Sequence, residues 1–300
     1  MADVVSGQGY VERLPVQAVA GLVSAAWVQE VAKGAPEYVQ RHVPNGAVEM
    51  QWRPGSPPRL VGPLTAPLIE ELPAGSTVVG IRFRPGAAGP ALGIPACELV
   101  DEVVGVEHIW GRCAAETLED GLSAAASPRA ALGVLECELA RRVAGADPPD
   151  ALVLEAVSRL MPWRVADVRS LTSALSISEA QLRRRCHAAV GLSPKVLQRT
   201  LRFQGFLALV QQAIAQGRPP GDEGLAMLAA QARYADQSHL TRECVRLAGV
   251  APRAFVGRTQ QTCACGHDHS VSFTAMLGPR RTSQPSTHRR SSLGRNARLA

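Results

Sequence analysis

Apolar and polar residues alternate first at Val48, Met50 and Trp52, which are separated by Glu49 and Gln51. That period of two predicts a strand with one buried face. Pro44-Asn45-Gly46 just before it is a turn signal. Thr77 to Phe83 repeats the pattern, with Val79, Ile81 and Phe83 on one face and Pro85-Gly86 closing it. Gly and Pro clusters at Pro54 to Pro58 and Gly62-Pro63 punctuate the space between. The text predicts a small, partly open β-rich domain. Arg82 and Arg84, alternating with Ile81 and Phe83, read as one solvated face of a strand, with binding of an acidic effector as the alternative.

From Cys97 onward the period lengthens to three and four. Val106 to Leu122 and Pro128 to Val143 read as helices, the second capped by Ser127 with proline at its first position. Gly145 to Asp150, with Pro148-Pro149, is the natural boundary. The organisation expected is an α+β N-terminal domain over 1–147, an all-α domain over 148–258 and a disordered basic tail over 259–300. Few large apolar side chains occur in that tail to offset chain entropy.

The all-α part reads as helices at Ala151 to Leu160, Val165 to Leu175 and Ser178 to Val190. They continue at Pro194 to about Ala215, Leu225 to Gln231, Asp236 to Leu247, and in a last short helix around Phe255 opened by Ala251-Pro252. Its order repeats: helix, turn, helix, Gly, Ser-Pro or Ala-Pro, helix. In the first copy Leu182, Cys186 and Val190 fall on one side and Glu179, Ala180, Arg183, Arg184 and His187 elsewhere. In the second, Leu240, Cys244 and Leu247 face inward, and Gln237, Ser238, Thr241 and Arg242 outward. Ser178 and Asp236 are the expected caps.

Charge sharpens this picture. Residues 164–258 hold 14 Lys/Arg against 6 Asp/Glu, whereas residues 1–163 hold 12 against 19. A basic helical part with polar helix starts fits a phosphate-facing surface, with arginine able to pair guanine and glutamine able to pair adenine. The plainer alternative is two amphipathic helical hairpins with a solvated basic face.

On these residues the chain resembles the DNA-binding domain of AraC/XylS-type bacterial transcription regulators. The match is carried by Tyr234-Ala-Asp-Gln-Ser-His-Leu-Thr-Arg242 with Gly249-Val-Ala-Pro252. It is also carried by Ser178, Leu182, Arg184, Gly191-Leu-Ser-Pro194 and Leu201-Arg-Phe203. The resemblance implies two helix-turn-helix subdomains joined by the Pro194 helix, with recognition helices at Ser178 to Cys186 and Asp236 to Cys244. The DNA-binding candidates are Ser178, Glu179, Ala180, Arg183, Arg184, Gln237, Ser238, Thr241 and Arg242, with Arg185 as further support in the first unit. The chain departs from the pattern at Cys186 and Cys244, where phenylalanine is usual, at Thr172, where a small residue is usual, and at Ser176 and Arg233, where glycine is usual. In the N-terminal part, Arg41-His-Val-Pro-Asn-Gly46 and Gly80-Ile-Arg-Phe-Arg-Pro-Gly-Ala87 resemble an uncharacterised sensor-like domain that precedes such DNA-binding domains.

Double-stranded DNA is therefore the expected partner. A small-molecule effector, RNA polymerase and a second copy of the chain are further candidates. No apolar run of membrane-spanning length and no secretory pattern at Met1 to Tyr10 is present, so a cytoplasmic protein without a membrane partner is expected. No catalytic motif stands out, and neither enzyme activity nor a cofactor is expected. The alternatives are an enzyme or small-molecule binder in the N-terminal domain, or a metal sensor using Cys263, Cys265, His267 and His269. Those four could offer zinc two thiolates and two imidazoles, but their spacing is tighter than in common structural sites and no metal is assigned. His42 reads as a surface turn residue, with a place in a ligand pocket near Asn45 and Glu49 as the alternative. Cys97, Cys113 and Cys137 read as small buried side chains rather than redox sensors.

Overall fold

The computed structural model describes residues 8–164, 168–217 and 221–262. Eight strands build the N-terminal unit: β1 (Gln8–Arg13), β2 (Val23–Val31), β3 (Tyr38–His42), β4 (Glu49–Trp52), β5 (Arg59–Val61), β6 (Leu68–Leu72), β7 (Thr77–Phe83) and β8 (Val103–Gly105). Six of them pair in the order β1-β2-β7-β4-β5-β8, and β3 pairs with β6 in a separate sheet. Short helices α1 (Gly89–Leu92) and α2 (Glu107–Trp110) lead to α3 (Arg112–Ser123) and α4 (Pro128–Val143).

The helix expected over Val106 to Leu122 is divided. Gly111, at φ +82°, separates α2 from α3, and strand β8 precedes them. Ser127 caps α4 as expected, accepting from the Ala130 amide.

Each face of the large sheet has its own partner. Met50, Leu60, Val79, Ile81 and Phe83 share a core with Leu118 and Leu122 of α3 and Leu132, Leu135 and Leu139 of α4. That core follows from the period-two pattern. The opposite face corrects it. Glu49 and Gln51 are buried there too, and Arg82 is largely enclosed rather than solvated. Strands β3 and β6 cover this face, with Gln40 accepting from Gln29 at 2.8 Å. A period of two separates the faces of a strand but does not distinguish a polar interior from water.

The edge strand β1 is fastened to α4 by charge. Arg13 gives two hydrogen bonds to Glu136, at 2.9 and 2.7 Å, and the Val16 amide adds a third at 2.9 Å. Glu136 is 2% exposed, so a paired geometry is what makes its burial tolerable.

The helical part comprises α5 (Ala151–Leu160), α6 (Val168–Leu175), α7 (Glu179–Val190), α8 (Pro194–Ala215), α9 (Asp222–Gln231), α10 (Gln237–Ala248) and α11 (Pro252–Thr262). The 22-residue helix α8 serves two cores. Leu197 and Leu201 pack with α5, α6 and α7, while Phe203, Phe206, Leu207 and Val210 pack with α9, α10 and α11. The architecture is therefore a β-rich α+β unit followed by an all-α unit of two helical subdomains.

Three boundaries differ from the expectation. Helix α9 begins at Asp222 rather than Leu225, because Asp222 to Gly224 continue the helix rather than the loop. Helix α11 runs through residues 259–262, inside the span expected as tail. Of the helix expected from Val165, the described part is Val168–Leu175. Cys263, Cys265, His267, His269 and the rest of the tail lie outside the described residues.

Candidate nucleic-acid interface

Helices α7 and α10 are twelve residues each and share one frame. Each starts on a side-chain cap. Ser178 accepts from the Gln181 amide at 3.2 Å, and Asp236 accepts from the His239 amide at 2.6 Å. Each ends on a left-handed glycine, Gly191 at φ +81° and Gly249 at φ +71°. Leu182, Cys186 and Val190 in α7 correspond to Leu240, Cys244 and Ala248 in α10, and all six are buried. The spacing of four from the cap puts these residues on one stripe facing the core.

The turns before the two helices are also alike. The Ile177 amide bonds to Thr172 O and the Ser176 amide to Ser173 O. The Tyr234 amide bonds to Ala229 O and the Arg233 amide to Ala230 O in the same way. This is the Schellman arrangement, which needs a left-handed residue after the helix. Ser176 at φ +53° and Arg233 at φ +64° supply it without being glycine. Each carries a backbone cost of about 1–2 kcal/mol.

The outward residues sit as the spacing requires. Ser178, Glu179, Ala180, Arg183 and Arg184 are exposed on α7, and Gln237, Ser238 and Arg242 on α10. The side chains of Arg183, Arg184 and Arg242 make no hydrogen bond or ion pair among the described residues, so their guanidinium groups are available. Two candidates are partly committed. Ser178 is held in a reciprocal capping box, in which Gln181 Oε1 accepts from the Ser178 amide at 3.0 Å. Thr241 is half-buried and its hydroxyl donates to Gln237 O at 2.9 Å. Arg185, expected to support the first unit, is turned to Asp150 at 2.5 Å. Asp150 also caps α5 through the amides of Leu152 and Val153.

Gln181 was not singled out from the sequence, although Ser-x-x-Gln before a helix signals this box. Nor was the Arg199–Glu243 pair, at 2.9 Å, which ties α8 to α10. Tyr234, 5% exposed, anchors the second subdomain by meeting the rings of Phe206 and His239 edge-on.

The N-terminal unit holds a second cluster between its sheets. Arg82 lies 2.9 Å from Glu12 and 2.6 Å from Glu49, and Tyr10 donates to Glu12. Burial opposes the charge on Arg82, yet Glu12 and Glu49 hold it protonated well above its ordinary value. Burial likewise works against Glu49, and Arg82 keeps its carboxyl below the ordinary range. His42 is on β3 rather than at a surface turn, 3.5 Å from Glu70, which also binds Arg59 at 2.5 Å. His42 lowers Glu70 most; burial opposes this and Arg59 adds to it, leaving the carboxyl at about 2. Beside this cluster a recess of about 30 Å3 is lined by Gln51, Trp52, Arg59 and Glu70, room for a single water.

Arg84, the other arginine of β7, is exposed and donates to Ala20 O at 3.0 Å. Cys113 and Cys137 are exposed and Cys97 half-buried, against the expectation of buried thiols. They occur on helical or turn positions whose outward side the period alone did not resolve. Among the described residues no group of His, Cys, Asp and Glu is arranged to hold a metal, and no helix is long and apolar enough to cross a membrane.

Residues 11–105 match a family model described as a domain of unknown function (DUF6597). That span contains both stretches, Arg41 to Gly46 and Gly80 to Ala87, that resemble a sensor-like domain in the sequence. No curated protein matches the chain. Among solved structures, ToxT of Vibrio cholerae O395 covers 79% of this chain and 97% of its own, at 12% identity and a TM-score of 0.42. Apo ToxT of a single-substitution variant from Vibrio cholerae strain SCE256 covers 77% and 96%, at 13% identity and the same TM-score. At that identity and TM-score the likeness carries no functional argument.

Proposed function

We propose that this protein is a sequence-specific DNA-binding transcription regulator of the AraC/XylS type, reading two adjacent major-groove segments with α7 and α10. One observation carries the reading: two helices built on the same frame, each with a capped start, an exposed polar first turn and unpaired arginines. A helix entering the major groove by its N-terminal end presents these residues to base edges. Arg183, Arg184 and Arg242 suit guanine or phosphate, and Gln237 suits adenine. Ser178 and Ser238 suit phosphate, aided by the free amides of each first turn.

The N-terminal unit is assigned effector response or self-association. Its enclosed charges between the two sheets are paired with one another and leave a recess for a single water, so they serve to hold the sheets together. The effector role rests on the resemblance of the N-terminal stretches to a sensor-like domain. In this reading the chain acts by binding and not by catalysis, and it works in the cytoplasm on duplex DNA, with RNA polymerase and a second copy of itself as further partners.

Selection of duplexes from a random library tests the reading. Enrichment of a defined site, with binding that weakens steeply as salt rises, is expected from the release of phosphate counterions. A library that returns no enriched sequence at any salt concentration rejects it.

A further inference from the structure

We propose that the segment Gly62 to Pro67, together with Arg41, is a brace through which the N-terminal unit positions α7 and α10 relative to one another and so sets the site spacing that the pair accepts. This rests on the DNA-reading assignment above.

Both candidate reading helices end against the N-terminal unit and each reaches this segment, α7 at Pro63 beside Ala96 and Val100, and α10 at Pro67. At the end of α7, a Cβ on Gly191 would lie 2.7 Å from Val100 Cγ2, 2.9 Å from Ala96 O and 3.2 Å from Pro63 Cγ. At the end of α10, a Cβ on Gly249 would lie 3.1 Å from Arg41 Nη1 and 3.2 Å from Pro67 Cγ. The two prolines stand four residues apart, so displacing one helix end displaces the other through a short stretch of chain.

Arg41 adds a directed contact. Its Nη1 donates to Ala248 O at 2.7 Å. That carbonyl belongs to the last turn of α10, where the helix leaves acceptors unpaired and its dipole favours a cation. Between the two ends, Gln204 of α8 donates to Pro44 O at 2.7 Å in a buried contact, and Gly46 lies against Leu197. The N-terminal unit is thus seated at three points: the end of α7, the middle of the linking helix and the end of α10.

The segment itself is held stiffly. The Gly62 amide donates to Glu102 O at 2.9 Å and the Asp101 amide to Pro63 O at 3.2 Å. Asp101 accepts from the Thr65 amide at 2.6 Å and from its hydroxyl at 2.5 Å. To do so Asp101 adopts φ +60°, a left-handed conformation in a residue with a side chain. Such strain persists where surrounding contacts over-determine it, and here the bonds from Thr65 to the Asp101 carboxylate are contacts of that kind at the middle of the brace. Arg41, Thr65 and Asp101 are positioning residues that need not touch DNA.

The test uses the full chain with Asp101→Gly and Arg41→Met combined. Glycine removes the carboxylate that holds Thr65 and also relieves the left-handed strain, so this change does not work by unfolding the protein. Spin labels at Ala180→Cys and Ser238→Cys report the separation of the two helix starts without DNA. The background replaces Cys97, Cys113, Cys137, Cys263 and Cys265 by serine, leaving only the buried Cys186 and Cys244. The expected result is a narrow distance distribution in the parent and a broad one in the double variant. On duplexes whose two segments are moved apart or together by single base pairs, the variant should lose the parent's spacing preference. An unchanged distance distribution overturns the brace whatever the DNA results. A broadened distribution with an unchanged spacing profile overturns its role in spacing. A parent that binds no specific duplex overturns the DNA reading and the spacing role with it, while the label distances separately decide the mechanical brace.

Discussion

Arg233 Nη1 donates to the carbonyl oxygen of Arg164 at 2.9 Å, joining the turn of the second helix pair to the segment that enters the first. That entering segment also crosses α8 closely, since a Cβ on Gly205 would lie 2.5 Å from Pro162 Cβ. The non-glycine residue in a left-handed turn is therefore accompanied by a contact that glycine could not make.

Separating the backbone cost from the side-chain contact gives the first prediction. Arg233→Ala keeps the left-handed strain and loses the bond, whereas Arg233→Gly loses the bond but relieves the strain. The alanine variant should be the less stable of the two by about 1 kcal/mol, after allowing for the extra freedom of glycine in the unfolded chain. Urea unfolding of both variants measures the difference. Equal midpoints would mean that the turn stores no strain.

The helical part was legible in the sequence because caps, apolar spacing of four and terminal glycines act locally. Ser178, Asp236, Gly191 and Gly249 mark ends that the structure reproduces. The N-terminal unit was read at β4 and β7 but not at its other strands. In β3 and β6 the polar residues Gln40, His42 and Glu70 become half-buried only by facing β2 and β5 across the two sheets. Arg82, read as solvated, is enclosed by Glu12 and Glu49, one far along the chain and the other on a neighbouring strand. Arg41 was visible only as part of a motif. Its contact with Ala248 spans 207 residues, and no local pattern encodes such a distance.

The buried thiols under the two outward faces should be inert. Burial pushes Cys186 up to about 11, with Asp150 adding to the shift, and burial alone pushes Cys244 up to about 12. The thiolate is the reactive form, so at pH 8 a thiol reagent should modify Cys113 and Cys137 and spare Cys186 and Cys244 until the protein unfolds. Peptide mapping after brief labelling decides this. Rapid labelling of Cys244 in the folded protein would contradict the packing of α10. Because the unfolded thiols titrate near the ordinary value of 9.0, the unfolded state holds fewer protons above it. These two groups should therefore make stability fall as pH rises from about 9 towards 11–12.

Glu70 predicts the opposite limb. Its folded value of about 2 lies below the ordinary 4.5, so the unfolded state binds the proton first on acidification. Its contribution is present above about pH 4.5 and is lost as pH falls towards 2. Glu70→Gln should lower stability at neutral pH and flatten the decline across that window. Parallel acid-unfolding curves for parent and variant would show that His42 and Arg59 do not hold the carboxylate.

The most direct test of the central claim is a base-resolved interference footprint on the selected duplex, for the parent and for Arg242→Ala. The account predicts two contacted major-groove segments on one face of the duplex, about one helical turn apart. Arg242→Ala should weaken only the segment read by α10, at a cost of about 1–3 kcal/mol in affinity. A single contacted segment, or an Arg242→Ala footprint and affinity identical to the parent's, would contradict it.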